Sequence, residues 1–191
     1  MRRRTFDTLV STGAVIVGVV LLIAGALLTW STVFINQQVH DQLASQKIFF
    51  PAAGSAAIKG AEFKEIQQYA GQQLTTGDQA KAYADHFILV HLNEVADGKT
   101  YSQLSSAAMA DPTNTKLQGQ VNTLFKGTTL RGMLLEAYAF GKVGTIAGIA
   151  AFVAFGAAAV MFLLAALGFR HSRHVDAKVE LGSRMPAPVE V

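Results

Sequence analysis

Apolar positions along this chain follow two patterns. In two long stretches nearly every position is apolar or small. Between them, apolar residues recur at spacings of three and four. Leu9 to Ile35 contains no charged side chain, and neither does Val143 to Phe169, which Lys142 and Arg170 bound. At a rise of about 1.5 Å per residue each run covers roughly 40 Å of helix, enough to cross a hydrocarbon layer of about 30 Å. A bilayer offers no water to the backbone, so both runs are expected as α-helices. Trp30 falls near the far end of the first run, a position that suits an interfacial ring.

The intervening residues 36–142 read as helical. Gln37 to Lys47 is polar, free of Gly and Pro, and extends the first run. Ile48-Phe49-Phe50-Pro51 interrupts it, because Pro disfavours a helical residue before it. Phe63, Ile66, Ala70 and Leu74 form the apolar face of an amphipathic helix. Thr75-Thr76-Gly77-Asp78 ends that helix, with Asp78 as the expected N-cap of the next. Residues 79–96 place Ala80, Tyr83, Phe87, Val90 and Glu94 on one row, beside Ala84, Ile88 and Val95, and Asp97-Gly98 closes the segment. Thr100-Tyr101-Ser102-Gln103 matches a capping box. Pro112 is expected at the first position of a further helix, with Leu117, Val121, Leu124 and Phe125 on its apolar face. After Gly127 the pattern resumes through Leu130, Met133, Leu134 and Leu135 into the second run. No segment alternates with period two. The expected fold is all-α: two transmembrane helices flanking an extracytoplasmic helical-bundle domain. Its core draws on Phe63, Ile66, Leu74, Tyr83, Phe87, Ile88, Leu104, Leu117, Val121, Leu124 and Phe125. The divisions are 1–8 (N-terminus), 9–35 (first span), 36–142 (helical domain), 143–169 (second span) and 170–191 (tail).

Composition agrees. The 191 residues are 51% hydrophobic and 15% charged, below the ~25% usual for soluble domains. There is no cysteine, which excludes a disulfide scaffold and a Cys-ligated metal site. Charge sets the orientation. Arg2, Arg3 and Arg4 precede the first run, and Arg170 and Arg173 follow the second. The positive-inside tendency therefore puts both termini in the cytoplasm of a multi-pass protein of the cell membrane. Lys126, Arg131 and Lys142 run against that assignment. The central region holds nine basic and nine acidic residues, so nucleic acid is not an expected partner. Ala24-Gly25-Ala26 has the small residues of a signal-cleavage site, but the apolar run continues to Ile35, far beyond a signal-peptide core; an uncleaved anchor is expected.

Both runs carry small residues at helical spacing. The first has Ser11, Ala14, Gly18 and Gly25. The second has Gly144 and Gly148, continuing to Gly156, with Ala147, Ala151 and Ala158 alongside. Such faces let helix backbones approach closely. Two partners fit equally well: the other run of the same chain, or a helix of a second copy or another membrane protein.

Candidate chemistry is sparse. His86, His91 and Glu94, with His40 as an optional fourth, are the candidate metal ligands of the central region. Five residues separate the two histidines, off the i, i+4 spacing of a zinc helix. The di-iron bundle pattern needs two Glu-x-x-His pairs, and His91-x-x-Glu94 reverses the order. Core-edge polar residues are the simpler reading, and no metal or cofactor is expected. No nucleophile elbow, glycine-rich dinucleotide loop or phosphate loop occurs. No charge lies within either run, so neither resembles an ion path. Phe49, Phe50, Phe63, Tyr69, Tyr83 and Phe87 line an apolar cavity in one reading and fill the core in another.

Four stretches together resemble an uncharacterised family of small actinobacterial two-span membrane proteins: Val33-Phe34-Ile35-Asn36-Gln37-Gln38-Val39, Tyr69-Ala70-Gly71-Gln72-Gln73-Leu74, Ala82-Tyr83-Ala84-Asp85-His86-Phe87 and Leu130-Arg131-Gly132-Met133-Leu134. That family sometimes carries an aromatic ring-opening dioxygenase label, which implies two His and a carboxylate on iron in a β-containing fold. This chain offers neither. Three functions remain as expectations. The first is a non-enzymatic accessory or scaffolding component of the envelope. The second is a membrane-anchored binding module that holds a lipid or other apolar ligand in a cavity lined by Phe49, Phe50, Phe63, Tyr69, Tyr83 and Phe87, a placement that a solid core there would remove. The third is a metalloenzyme using His86, His91 and Glu94.

Overall fold

The computed structural model describes residues 2–175; the rest of the 170–191 tail lies outside the described residues. The described chain is mostly helical and contains no strand, so the all-α expectation holds. α1 spans Arg3–Ser45 and α5 spans Thr115–His174. Each contains one of the uncharged runs and is long and apolar enough to cross a membrane. Between them lie α2 (Gly77–Tyr83), α3 (Leu89–Ala96) and α4 (Tyr101–Ala110). The chain divides into two compact units, one formed by residues up to Ser31 with those from Ala147 onward, the other by Thr32–Ile146.

The first unit is a helix pair built on small residues. Ser11 and Ala14 of α1 are buried, as are Ala151, Ala154, Ala158, Ala165 and Ser172 of α5. At two of the three glycines of α1, Gly18 and Gly25, α5 supplies a ring, whereas Gly13 has nothing within 4 Å. A methyl group on Gly18 would lie 2.9 Å from Phe162 Cε1, and one on Gly25 would lie 2.8 Å from Phe155 Cε1. The small-residue face of α1 is therefore filled from within the chain. Gly148 is half-buried. Gly156 points away, with nothing within 4 Å of a methyl group placed there, and the buried alanines carry the contact instead. The outward side is apolar: Ile16, Leu27, Trp30, Phe152 and Leu163 are all exposed.

The second unit has a true core. Leu43, Phe50, Ile58, Phe63, Ile66, Leu74, Ala80, Ala84, Ile88 and Leu134 form one buried cluster; Ala96, Leu104 and Leu124 form a second. Burying each large side chain contributes roughly 1.5–3 kcal/mol before chain entropy is charged against it. The break at Pro51 falls where the sequence puts it. Phe50 N donates to Gln72 O and Leu74 N to Ile48 O, both at 2.9 Å, so the loop is tied to residues 71–74 by an isolated antiparallel bridge at Phe49 and Gln73.

Local structure departs from the sequence reading at several points. Ala61–Tyr69 is a 3₁₀ helix, not an amphipathic α-helix. Phe63 and Ile66 are three apart, one 3₁₀ turn, and both are buried; Gly71, at φ +73°, then turns the chain so that Leu74 enters the core from an extended segment. Thr76, not Asp78, caps α2. Its hydroxyl accepts from Gln79 N while Gln79 Oε1 accepts from Thr76 N, a complete capping box. Asp78 instead pairs with Lys142. Thr100 and Gln103 form the second box, as expected. Pro112 sits in the turn before α5, which starts at Thr115 with Asn114 Oδ1 accepting from Leu117 N. Gly127 does not interrupt α5. Leu92 packs on it so closely that a methyl group there would overlap the side chain. Phe125 is 57% exposed rather than core. Residues 77–96 are helical throughout, but Ala84–Ile88 forms a π turn that shifts the phase of α3.

Candidate functional site

The candidate metal ligands are not assembled as a site. His91 Nδ1 lies 2.8 Å from Phe87 O, and its ring packs 4.5 Å from Phe87 and 5.6 Å from Phe63. His86 is half-buried and Glu94 exposed. His40 bonds to Asp41 at 3.1 Å. Among the described residues no three His, Cys, Asp or Glu side chains come together as a metal site.

The aromatic residues make a core, not a lined cavity. Phe50 stacks on Tyr69 and Tyr83 at 5.2 Å each, Tyr83 on Phe87 at 4.7 Å and Phe63 on Phe87 at 6.3 Å. Phe50 and Phe63 are buried, whereas Phe49 points outward. Burial raises the Tyr83 hydroxyl above the ordinary tyrosine range. Asp85 is bound by Lys81 and, at 2.7 Å, by Arg131 Nη2. The Lys81 hydrogen bond first, then Arg131, holds its carboxyl below the usual carboxylate range against the opposing effect of burial. This triad fastens the π turn to α5.

What remains open is a groove of about 520 Å³ between α1 and α5 in the second unit. Two neighbouring rows of α1 build one side. Ile35, Val39 and Leu43 repeat every four residues and face inward; Phe34, Gln38, Gln42 and Gln46 repeat likewise and form a lip. α5 supplies Leu134 and Ala137 to the floor and Met133, Glu136 and Phe140 to the opposite lip. The floor is rigid, since Leu43 and Leu134 are buried; the lip is accessible, with Phe34, Met133 and Phe140 about half exposed. Sequence periodicity marks Ile35, Val39 and Leu43 as an apolar row but does not show that α1 and α5 meet here without closing. On another side of α1, Asn36, His40, Thr75, Thr76, Asp78, Tyr138, Lys142 and Thr145 border a second, open cavity of about 320 Å³, with the Asp78–Lys142 pair at its solvent-exposed edge. Val39 borders both.

Searches of protein-family models, curated proteins and solved structures return no match to this chain.

Proposed function

We propose that this is a two-span membrane protein, both termini cytoplasmic, whose helical domain is a non-enzymatic binding module for the hydrocarbon chain of a lipid. The groove carries this reading. One end of it, at Phe34, Ile35 and Phe140, lies where the two uncharged runs stop. From Phe34 to Leu43 it rises roughly 14 Å along α1, with an apolar floor and amides along one lip, Gln46 just beyond the helix end. A hydrocarbon chain entering from the bilayer stays on apolar surface throughout, and a polar end group meets Gln42, Gln46 and Glu136. The small-residue faces, filled within the chain at Gly18 and Gly25, offer a partner less than their spacing suggests.

The test is site-specific photocrosslinking of the full chain in native membranes. A benzophenone side chain at Met133, on the groove lip, is expected to yield lipid adducts by mass spectrometry. The same group at Met109, 72% exposed and not among the residues that line the groove, serves as background. Equal adduct levels at both positions overturn the reading. Because the chain lacks cysteine, single-cysteine labelling at Ser102 and Thr5 reports the orientation directly.

A scaffolding role is the second reading. Tyr101 and Phe125 stack at 5.9 Å on the surface and are exposed at 40% and 57%, an apolar pair suited to a protein partner. Protein adducts from Phe125, in place of lipid adducts from Met133, support it.

A further inference from the structure

The second cavity, bordered by the exposed Asp78–Lys142 pair, lies at the level where both uncharged runs end. Asn36 follows Ile35, and Lys142 precedes Val143. The two ends are side by side: Thr32 Oγ1 donates to Gly144 O at 3.2 Å, and a methyl group on Gly144 would lie 3.0 Å from Asn36 Oδ1. In a membrane this level is that of the lipid headgroups.

The lining carries one fixed charge of each sign. Lys142 Nζ binds Asp78 Oδ1 at 2.8 Å and lies 5.4 Å from the centre of the Tyr138 ring. An ammonium has three N–H donors and the carboxylate two oxygens, so the pair uses only part of either. His40, held to Asp41 through Nδ1, borders the same cavity, as does Thr76, whose hydroxyl accepts from Gln79 N. Tyr138 already accepts Lys81 at 5.5 Å, which shows that its face receives ammonium groups. A purely anionic ligand would face Asp78, and a purely cationic one would face Lys142. A zwitterion with its charges a few ångströms apart satisfies both.

We propose that this cavity binds a phosphoethanolamine group, its phosphate on Lys142 and its primary ammonium on Asp78. The group is that of a zwitterionic phospholipid in the adjoining leaflet or of a soluble glycerophosphodiester. The inference shares the membrane placement proposed above but not the groove. Choline headgroups fit less well, since a quaternary ammonium has no N–H for the carboxylate.

The test uses the full chain in nanodiscs of equal phosphatidylethanolamine, phosphatidylglycerol and phosphatidylcholine, followed by mild detergent extraction and native mass spectrometry. Phosphatidylethanolamine is expected to be retained about tenfold over either competitor, the ratio given by one lost charge-assisted hydrogen bond. Lys142→Ala removes the preference and Lys142→Arg restores part of it. Asp78→Asn shifts retention toward phosphatidylglycerol, a change of selectivity that mere loss of fold does not produce. Indiscriminate retention by the unaltered chain, or a preference that survives Lys142→Ala, overturns the proposal. Glycerophosphoethanolamine offered to the lipid-stripped full chain separates the two sources. Binding there at millimolar concentration assigns the soluble diester. No binding there, with lipid retained in nanodiscs, assigns the lipid; no binding in either arm overturns the site. Headgroup selectivity with no acyl crosslinks at Met133 would leave this site standing and remove the groove reading.

Discussion

Replacing Gly25 by Ala tests the packing of the two long helices most directly. The added methyl group would lie 2.8, 2.9 and 3.0 Å from three atoms of the Phe155 ring. Carbon atoms prefer about 3.5–4.0 Å, so the ring must withdraw by roughly 0.7 Å. Phe155 is 39% exposed and yields partly outward. Overpacking of this kind costs about 1–3 kcal/mol, and Ala in place of a helical Gly returns about 0.5–1 kcal/mol. The expected net loss is therefore about 0–2.5 kcal/mol. Gly156→Ala is the control: with nothing within 4 Å it meets no ring and is expected to be neutral or slightly stabilising. A double-mutant cycle isolates the contact. In a Phe155→Ala background the ring is gone, and Gly25→Ala is expected to change sign and stabilise. The assay is equilibrium unfolding of full-length protein in mixed micelles titrated with SDS, followed by helicity and by fluorescence of Trp30, the single tryptophan. If Gly25→Ala and Gly156→Ala shift the midpoint equally, or if removing the ring leaves the Gly25 effect unchanged, the assigned packing is wrong.

Leu134→Ala, at a residue 1% exposed, is expected to cost about 2–5 kcal/mol in the same unfolding assay. Gln79→Ala is expected to cost more than Gln103→Ala, although both serve capping boxes. Gln79 is buried, its Oε1 accepts from both Thr75 N and Thr76 N, and its Nε2 donates to Gln72 Oε1, so its loss strands buried polar groups. Gln103 belongs to an exposed box, where about 1 kcal/mol is typical. Asp85 predicts an acid limb. Its folded-state pKa lies below the unfolded value of about 3.9, so its contribution stands in full above that value and is lost as pH falls through the folded-state pKa. Asp85→Asn is expected to flatten the low-pH decline of thermal stability; an unchanged slope refutes this.

The two long helices, the breaks at Pro51 and Asp97-Gly98 and the Thr100–Gln103 box were legible because each has a local physical cause. The errors share a different one. Thr76 and Asp78 are both good caps, and the choice fell to Gln79, whose burial depends on tertiary packing. Gly127 and Pro112 read as helix boundaries by propensity, yet α5 runs through Gly127 because Leu92 needs the space that a side chain would take. The Phe63–Leu74 spacing fits an α-helix until the chain reverses at Gly71 to pair with the Phe49 loop. Helical periodicity picked out Gly18 and Gly25, but it could not know that phenylalanine rings, rather than another chain, fill them. Neither the groove nor the second cavity was legible, since each joins residues of α1 to residues of α5 about a hundred positions further on.

The wide turn at Ala84–Ile88 makes chain length itself a structural variable. Shortening it by one residue would let the backbone close as an ordinary helix, at no loss of hydrogen bonding. The side chains from Leu89 to Ala96 would keep their angular positions, because the wide turn holds the one residue that the deletion removes. Leu92 would stay in the gap above Gly127, and Ala96 against Leu104 and Leu124. One residue removed within Leu89–Ala96 itself would instead swing the side chains beyond it by about 100°, so a single deletion should be tolerated at the wide turn and not one turn later.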